Sequence, residues 1–330
     1  MRRLKAILLW LVAVVLAAGG WLYWFSTQPL TPPAVPFDFA VRPGAGVAAV
    51  ARGLTDAGVL AEPWSLRALA RMTDRASIVQ AGTYRLDKPI TPMELLDKLA
   101  RGDVLLAEVR FVEGTTLRQW LGQLAQEEKL RHTPAAADAG AVRALLGLGE
   151  QSPEGWLFPD TYRFAPGTAD GDILKRAHGA MKRRLDAAWE ARAPGLPLKE
   201  RYEALILASI VEKETGAASE RALVASVFIN RMRRGMRLQT DPTVIYGIGE
   251  KFDGNIRKHD LTTDTAWNTY TRDGLPPTPI AMPGSASLQA VSRPASSDYL
   301  YFVGKGDGTH QFSRTLEEHN RAVAKYQLKR

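Results

Sequence analysis

Glu212-Lys213-Glu214-Thr215 closes the apolar run Leu205-Ile206-Leu207-Ala208-Ser209-Ile210-Val211, so two carboxyls stand two residues apart at its end. At about 100° per residue, a helix through this run turns Glu214 into the sector of Leu207, Ile210 and Val211. Glu212 falls near Leu205, Ala208 and Ser209, so the two acids point in different directions. An apolar wall disfavours a carboxylate and raises its pKa, which a general acid working near neutral pH requires. A carboxyl held in this way suits proton transfer to a glycosidic oxygen. Glu214 is the better candidate and Glu212 the alternative. Acids at a helix C-terminus oppose the macrodipole, so a purely structural reason for them is not evident.

Other chemistries find less support. The chain has no cysteine, which excludes disulfides, thiolate zinc sites and a cysteine nucleophile. The five histidines, His132, His178, His259, His310 and His319, form no His-Glu-x-x-His pattern, and neither a metal nor a cofactor is expected. His310 and His319 read as structural. A net charge of +8 fits a nucleic-acid partner in principle. The N-terminus argues against that, and an anionic wall polymer or lipid surface is the expected partner.

That N-terminus runs without a charge from Ala6 to Phe25 behind Met1-Arg2-Arg3-Leu4-Lys5, with Trp21, Tyr23 and Trp24 at its far end. Twenty residues match a helical bilayer span, and the positive-inside rule puts residues 1–5 in the cytoplasm and the bulk of the chain outside. A cleaved signal peptide is the rival, through the small residues Leu16 to Gly20. The length of the run and its bulky aromatics favour a retained anchor over residues 6–26.

At 330 residues, 45% hydrophobic and 24% charged, the rest is globular and of α+β class. Residues 27–36 read as a Pro-rich linker holding the rest away from the membrane. Residues 37–105 read as a first folded unit: a strand over Phe37 to Val41, a turn over Arg42 to Gly46, and helices over Val47 to Ala57 and near Pro63 to Arg71. A strand over Gly82 to Leu86 and a helix opened by Thr91-Pro92 complete it. The strand, turn and helix recur from Ala107 to Leu121, so residues 106–152 are a second small α/β unit or a connector. Residues 153–330 form a mixed α+β domain. Its elements are a strand over Thr161 to Phe164, a helix over Gly171 to Arg192, the Glu214 helix, and a helix from an N-cap at Ser219 to Gly235. A hairpin around Gly306-Asp307-Gly308 and a last helix from Leu316 follow. Arg231, Arg233, Arg234 and Arg237 suit a helix C-terminus, with contact to an anionic substrate as the second reading.

The segments Glu212-Lys213-Glu214-Thr215, Val227-Phe228-Ile229-Asn230-Arg231, Leu238-Gln239-Thr240-Asp241-Pro242, Asn268-Thr269-Tyr270-Thr271 and Gly274-Leu275-Pro276-Pro277, with Glu154 to Tyr162 upstream, carry a resemblance. Together they resemble the MltG (YceG-like) family of endolytic murein transglycosylases. The first unit resembles, in pattern, a LysM glycan-binding module. The resemblance implies cleavage of MurNAc-β-1,4-GlcNAc bonds inside nascent peptidoglycan strands, with 1,6-anhydro-MurNAc ends as product. It also implies a single-pass protein of the bacterial inner membrane with its bulk in the periplasm, working beside peptidoglycan synthases. One acid/base carboxyl suffices for that reaction, where an ordinary glycosidase uses two.

The supporting residues have structural readings of their own. Asp241 and Pro242 suit an N-cap and first helical position. Gln239 is free to bind an N-acetyl or hydroxyl group. Asn268 and Tyr270 are expected on one face of a strand, suited to orienting a sugar, and Thr271 is a further substrate-binding candidate, as is Asp241. Gly274 to Pro279 reads as an extended loop. Two rival functions remain: a hydrolytic muramidase, needing a second carboxylate such as Asp241, and a non-catalytic wall-binding scaffold.

Overall fold

The computed structural model describes residues 2–42, 44–75 and 79–328, and its chain divides into two compact units. One comprises residues up to Ala107 with Arg163 to Gly167; the other comprises Glu108 to Tyr162 and Thr168 onward. The class is α+β, with three two-stranded sheets among the described residues.

The first unit starts with α1 (Arg2–Thr27), which has an 18-residue window apolar enough to cross a membrane. Its side chains are exposed along most of its length, but Leu22 and Ser26 are buried and Leu30 follows them inward. Leu30 and Ile90 exchange both backbone hydrogen bonds, at 2.8 and 3.3 Å. The segment 27–36, expected to be an extended linker, is thus paired with the unit at Leu30. Proline fixes extension, and an extended chain can still pair with another at an edge.

Strand β1 (Phe37–Val41) runs antiparallel to β2 (Gly82–Leu86), Phe37 opposite Leu86 and Val41 opposite Gly82. Helices α2 (Val47–Asp56) and α3 (Trp64–Met72) lie between them in sequence. Pro43 of the expected turn lies outside the described residues. Helix α4 (Pro92–Arg101) begins as its sequence predicts: Thr91 and Glu94 form a reciprocal capping box and Pro92 takes the first position. Leu54, Leu66, Tyr84, Leu86, Leu95 and Leu99 form the core beneath the hairpin.

Further along the chain β3 (Ala107–Arg110) pairs with β4 (Thr161–Phe164), and in the second unit α5 (Leu117–Ala125) follows a Thr116–Gln119 capping box. After α6 (Ala139–Leu146) come α7 (Asp170–Glu190), α8 (Arg201–Glu214) and α9 (Arg221–Arg233). Then α10 (Asp241–Ile248), α11 (Lys258–Thr262) and α12 (Ser285–Ser292) precede the antiparallel hairpin of β5 (Tyr301–Gly304) and β6 (His310–Ser313), and α13 (Leu316–Tyr326).

Helix α8 is the axis of this unit. Helices α7, α9, α10 and α12 all pack on it, and every residue from Ala204 to Val211 is buried. A helix apolar on all sides belongs inside a domain, so its end delivers Glu212 and Glu214 from the core. Helix α9 starts at Arg221 with Glu220 as its N-cap, one residue later than a Ser219 cap would give, and Gly235 (φ 64°) follows it in the left-handed conformation. The strand expected at Asn268 to Thr271 does not form; that segment is a chain of turns.

Candidate active site

The two carboxyls of α8 meet different surroundings. Glu212 is held on all sides: its Oε2 accepts from the backbone N–H of Gly284 (2.9 Å) and from Ser287 Oγ (2.7 Å), while Oε1 faces Arg221 at 3.4 Å. Its side chain is 5% exposed. These contacts join the end of α8 to the start of α12 and to the first residue of α9, which is a fastening role.

Glu214 ends the helix, because Thr215 is extended (φ −144°, ψ 131°). Thr240 Oγ1 donates a hydrogen bond to its Oε1. Burial pushes the Glu214 carboxyl up to about 7, and the charge of Asp241 adds to this. The Thr240 hydrogen bond, His310 and Arg231 act in the opposite direction. A carboxyl raised to about 7 is suited to exchanging a proton near neutrality, whereas the oxygens of Glu212 are occupied by a guanidinium and two donors.

Thr240 is fixed from behind. Its N–H donates to Thr269 Oγ1 (3.1 Å), its carbonyl accepts from Thr243 Oγ1 (2.7 Å), and the Thr243 and Thr269 hydroxyls meet at 2.9 Å. It is the N-cap of α10, yet it makes no side-chain cap bond, since its hydroxyl is spent on Glu214. Asp241, expected at that cap, is instead the first helical residue. It is exposed and accepts a 2.5 Å hydrogen bond from the Tyr270 phenol. Burial and Asp241 both raise the Tyr270 pKa, so the phenol stays a donor.

Gln239 precedes this pair with φ 50°, a left-handed conformation that costs a non-glycine residue energy. Its N–H donates to the Thr269 carbonyl (3.1 Å), and its side chain is exposed, within 3.4 Å of Arg231. Arg231 is buried and not a free cation: its Nε donates to the Leu300 carbonyl (2.7 Å) and its Nη1 to that of Leu238 (2.8 Å), clamping the strap before Thr240.

Asn268 differs from its expected place beside Tyr270 on a sugar-facing strand. It is 1% exposed, and its Nδ2 donates to the carbonyls of Asp260, Leu261 and Thr263 while its Oδ1 accepts from the Tyr270 N–H. It organises the loop that presents Tyr270. Thr271 donates to Asp264 (2.8 Å), outside the Glu214–Asp241 cluster. His310 Nδ1 lies 2.8 Å from Glu220.

Two residues the sequence reading passed over matter here. Thr240 carried a usable signal, since a threonine before Asp-Pro marks a helix start. Glu154 is buried and pushed up to about 7 by that burial; it accepts from the Leu117 N–H (3.0 Å) and the Tyr246 phenol (3.2 Å). It thereby ties the first turn of α5 to α10, whose N-terminus carries Thr240 and Asp241.

An acid titrating near neutrality, a hydroxyl aimed at it and an adjacent carboxylate–phenol pair, set on an α+β scaffold, define the class: a site equipped for general acid–base chemistry. The chain belongs to the YceG-like family, whose model matches residues 39–325. It is 35% identical to an endolytic murein transglycosylase of Bacillus subtilis, covering 76% of this chain and 74% of that one. It is 27% identical to an endolytic murein transglycosylase of Streptococcus pneumoniae, covering 94% of this chain and 63% of the relative. A crystal structure of a yceG-like protein from Listeria monocytogenes aligns with a TM-score of 0.57 at 28% identity, over 86% of this chain and 98% of that one.

Proposed function

We propose that this chain is an endolytic murein transglycosylase in which Glu214 is the acid and base. The observation that carries the assignment is the buried Glu214 carboxyl, bonded to Thr240 and raised to about 7. Protonated Glu214 gives its proton to the glycosidic oxygen between MurNAc and GlcNAc as that bond breaks. The resulting carboxylate removes the proton of the MurNAc 6-hydroxyl, whose oxygen attacks the anomeric carbon and closes the 1,6-anhydro ring. Glu214 is then protonated again and no water is consumed. A pKa near 7 serves both half-steps.

Asp241 with Tyr270, and Gln239 beside them, are the groups to bind and orient the sugars. Asp241 as carboxylate also favours positive charge developing at the anomeric carbon. Thr271 and Asn268 act through the loop rather than on substrate. Helix α1 is a single-pass anchor in the inner membrane with the bulk of the chain in the periplasm. The strand-helix-helix-strand unit is a LysM-like module, and peptidoglycan synthases are the expected neighbours.

The deciding experiment digests uncrosslinked glycan strands with the purified full chain and reads the ends by mass. Anhydro ends, lighter than reducing ends by one water, are expected, with loss of cleavage in Glu214→Gln. Reducing ends would make the enzyme a muramidase. Activity surviving Glu214→Gln but not Glu212→Gln would move the acid to Glu212.

A further inference from the structure

The first unit stands directly on the end of α1. Counting from Ala6, the residue after the last N-terminal charge, a 30 Å hydrocarbon layer is crossed in about 20 residues. The far boundary therefore falls in the turn from Trp21 to Phe25. Here α1 meets α3: the Trp21 ring stacks on Trp64 at 4.7 Å and on Phe25 at 5.6 Å. Leu22 of the same turn is part of the unit's core, and the Leu30–Ile90 pairing leaves no slack between helix and unit. The first residue of α3 thus shares the depth of the aromatic belt.

The outer face of α3 suits that position. The helix buries Ser65, Leu66, Leu69 and Ala70, and turns outward Trp64 (55% exposed), Arg67, Arg71 and Met72 (72% exposed). These four recur at helical spacing along one side. Neither Arg67 nor Arg71 meets a carboxylate among the described residues, and the nearby Glu62 is occupied by the N–H groups of Trp64 and Ser65. Tryptophan at the headgroup level, with arginines reaching lipid phosphates, is the composition of an interfacial helix.

We infer that the Trp64–Arg67–Arg71–Met72 face of α3 lies in the headgroup layer of the bilayer that α1 spans, its arginines on lipid phosphate. The inference rests on α1 being a membrane anchor. It makes the first unit a surface-bound body rather than one on a tether.

The absence of native cysteine allows a direct test with spin labels on the full chain in lipid nanodiscs. Met72→Cys is the probe, Val15→Cys the lipid reference and Asp307→Cys, in the β5–β6 turn, the water reference. In discs containing phosphatidylglycerol, the Met72 label should collide with a water-soluble nickel chelate less than half as often as the Asp307 label. Arg67→Glu with Arg71→Glu should restore the collisions. A Met72 label as open to nickel as Asp307, with Val15 still shielded, overturns the inference while leaving the anchor. A Val15 label open to nickel removes the anchor and the inference together. Shielding of the Met72 label that the arginine changes leave unaltered overturns the phosphate contact.

Discussion

Thr240 gives its hydroxyl hydrogen to Oε1 of Glu214 from 26 residues further along the chain, and in doing so forgoes the cap of its own helix. An N-cap hydroxyl is worth about 1 kcal/mol to a helix, so this residue serves the acid at some expense to α10. The bond also limits how far burial can raise the Glu214 pKa, since a donor favours the charged form.

Removing that donor should therefore move a titration as well as a rate. Thr240→Val is expected to shift the alkaline limb of the kcat/KM profile upward and to lower the rate about 10- to 100-fold through lost orientation. Thr240→Ser keeps the hydroxyl and should restore most of both. A Thr240→Val profile with an unmoved limb would show that the hydroxyl does not act on the acid.

The raised pKa of Glu214 predicts opposite trends for stability and for charge. Unfolded, this carboxyl titrates near 4.5, and folded, near 7. Between those values the folded chain holds a proton that the unfolded chain has lost, so stability falls as pH rises from about 4.5 to 7. The gap corresponds to about 3 kcal/mol, present below the window and lost above it. Glu154, also raised to about 7, adds a fall of the same sign. Glu214→Gln should remove its own share, making that variant more stable than the parent at pH 8 and indistinguishable at pH 4. Denaturant unfolding of both at the two pH values checks this. Activity that depends on protonated Glu214 should decline above about pH 7 in the parent.

How much of this was legible in the sequence differs by element. The strands and helices of the first unit, the Thr91–Pro92 helix start and the two directions of Glu212 and Glu214 follow from local periodicity and capping, and local signals survive folding. What failed was long-range. Helical phase turns the two acids in different directions, yet four helices pack on α8 and the Glu212 side chain is itself only 5% exposed. What sequence does not show is its partners, Gly284, Ser287 and Arg221, none of which is within six residues in sequence. Asn268 reads as a strand residue by alternation with Tyr270, but three loop carbonyls needed a donor and took its side chain. The Pro-rich segment reads as a tether because composition says nothing of Leu30 finding Ile90.

Glu212 should behave as a fastener. Glu212→Ala leaves Arg221, 14% exposed, without its partner, together with an unmet N–H at Gly284, and removing one member of a buried ion pair costs about 3–5 kcal/mol. The expected result is a lowered melting temperature and unfolding midpoint, with the alkaline limb of the pH profile unchanged for the protein that remains folded. Glu214→Gln gives the reverse: a folded, inactive protein. Thermal melts and single-turnover assays on the two variants separate the roles.

Asn268 and Tyr270, two residues apart, should also separate. Asn268→Ala removes a buried side chain that donates to three loop carbonyls and accepts from the Tyr270 N–H, so marked thermal destabilisation is expected. Tyr270→Phe leaves the backbone and the Asn268 network in place and deletes a single hydrogen bond, to the exposed carboxylate of Asp241. Its melting temperature should stay within a few degrees of the parent, while kcat/KM drops about 10-fold because Asp241 is no longer oriented. Asp241→Asn removes a negative charge that raises the Glu214 pKa, so its alkaline limb should move to lower pH, opposite to the shift from Thr240→Val. The products of Asp241→Asn should still carry anhydro ends. Reducing ends in the parent that disappear in Asp241→Asn would instead make Asp241 the second carboxylate of a hydrolase.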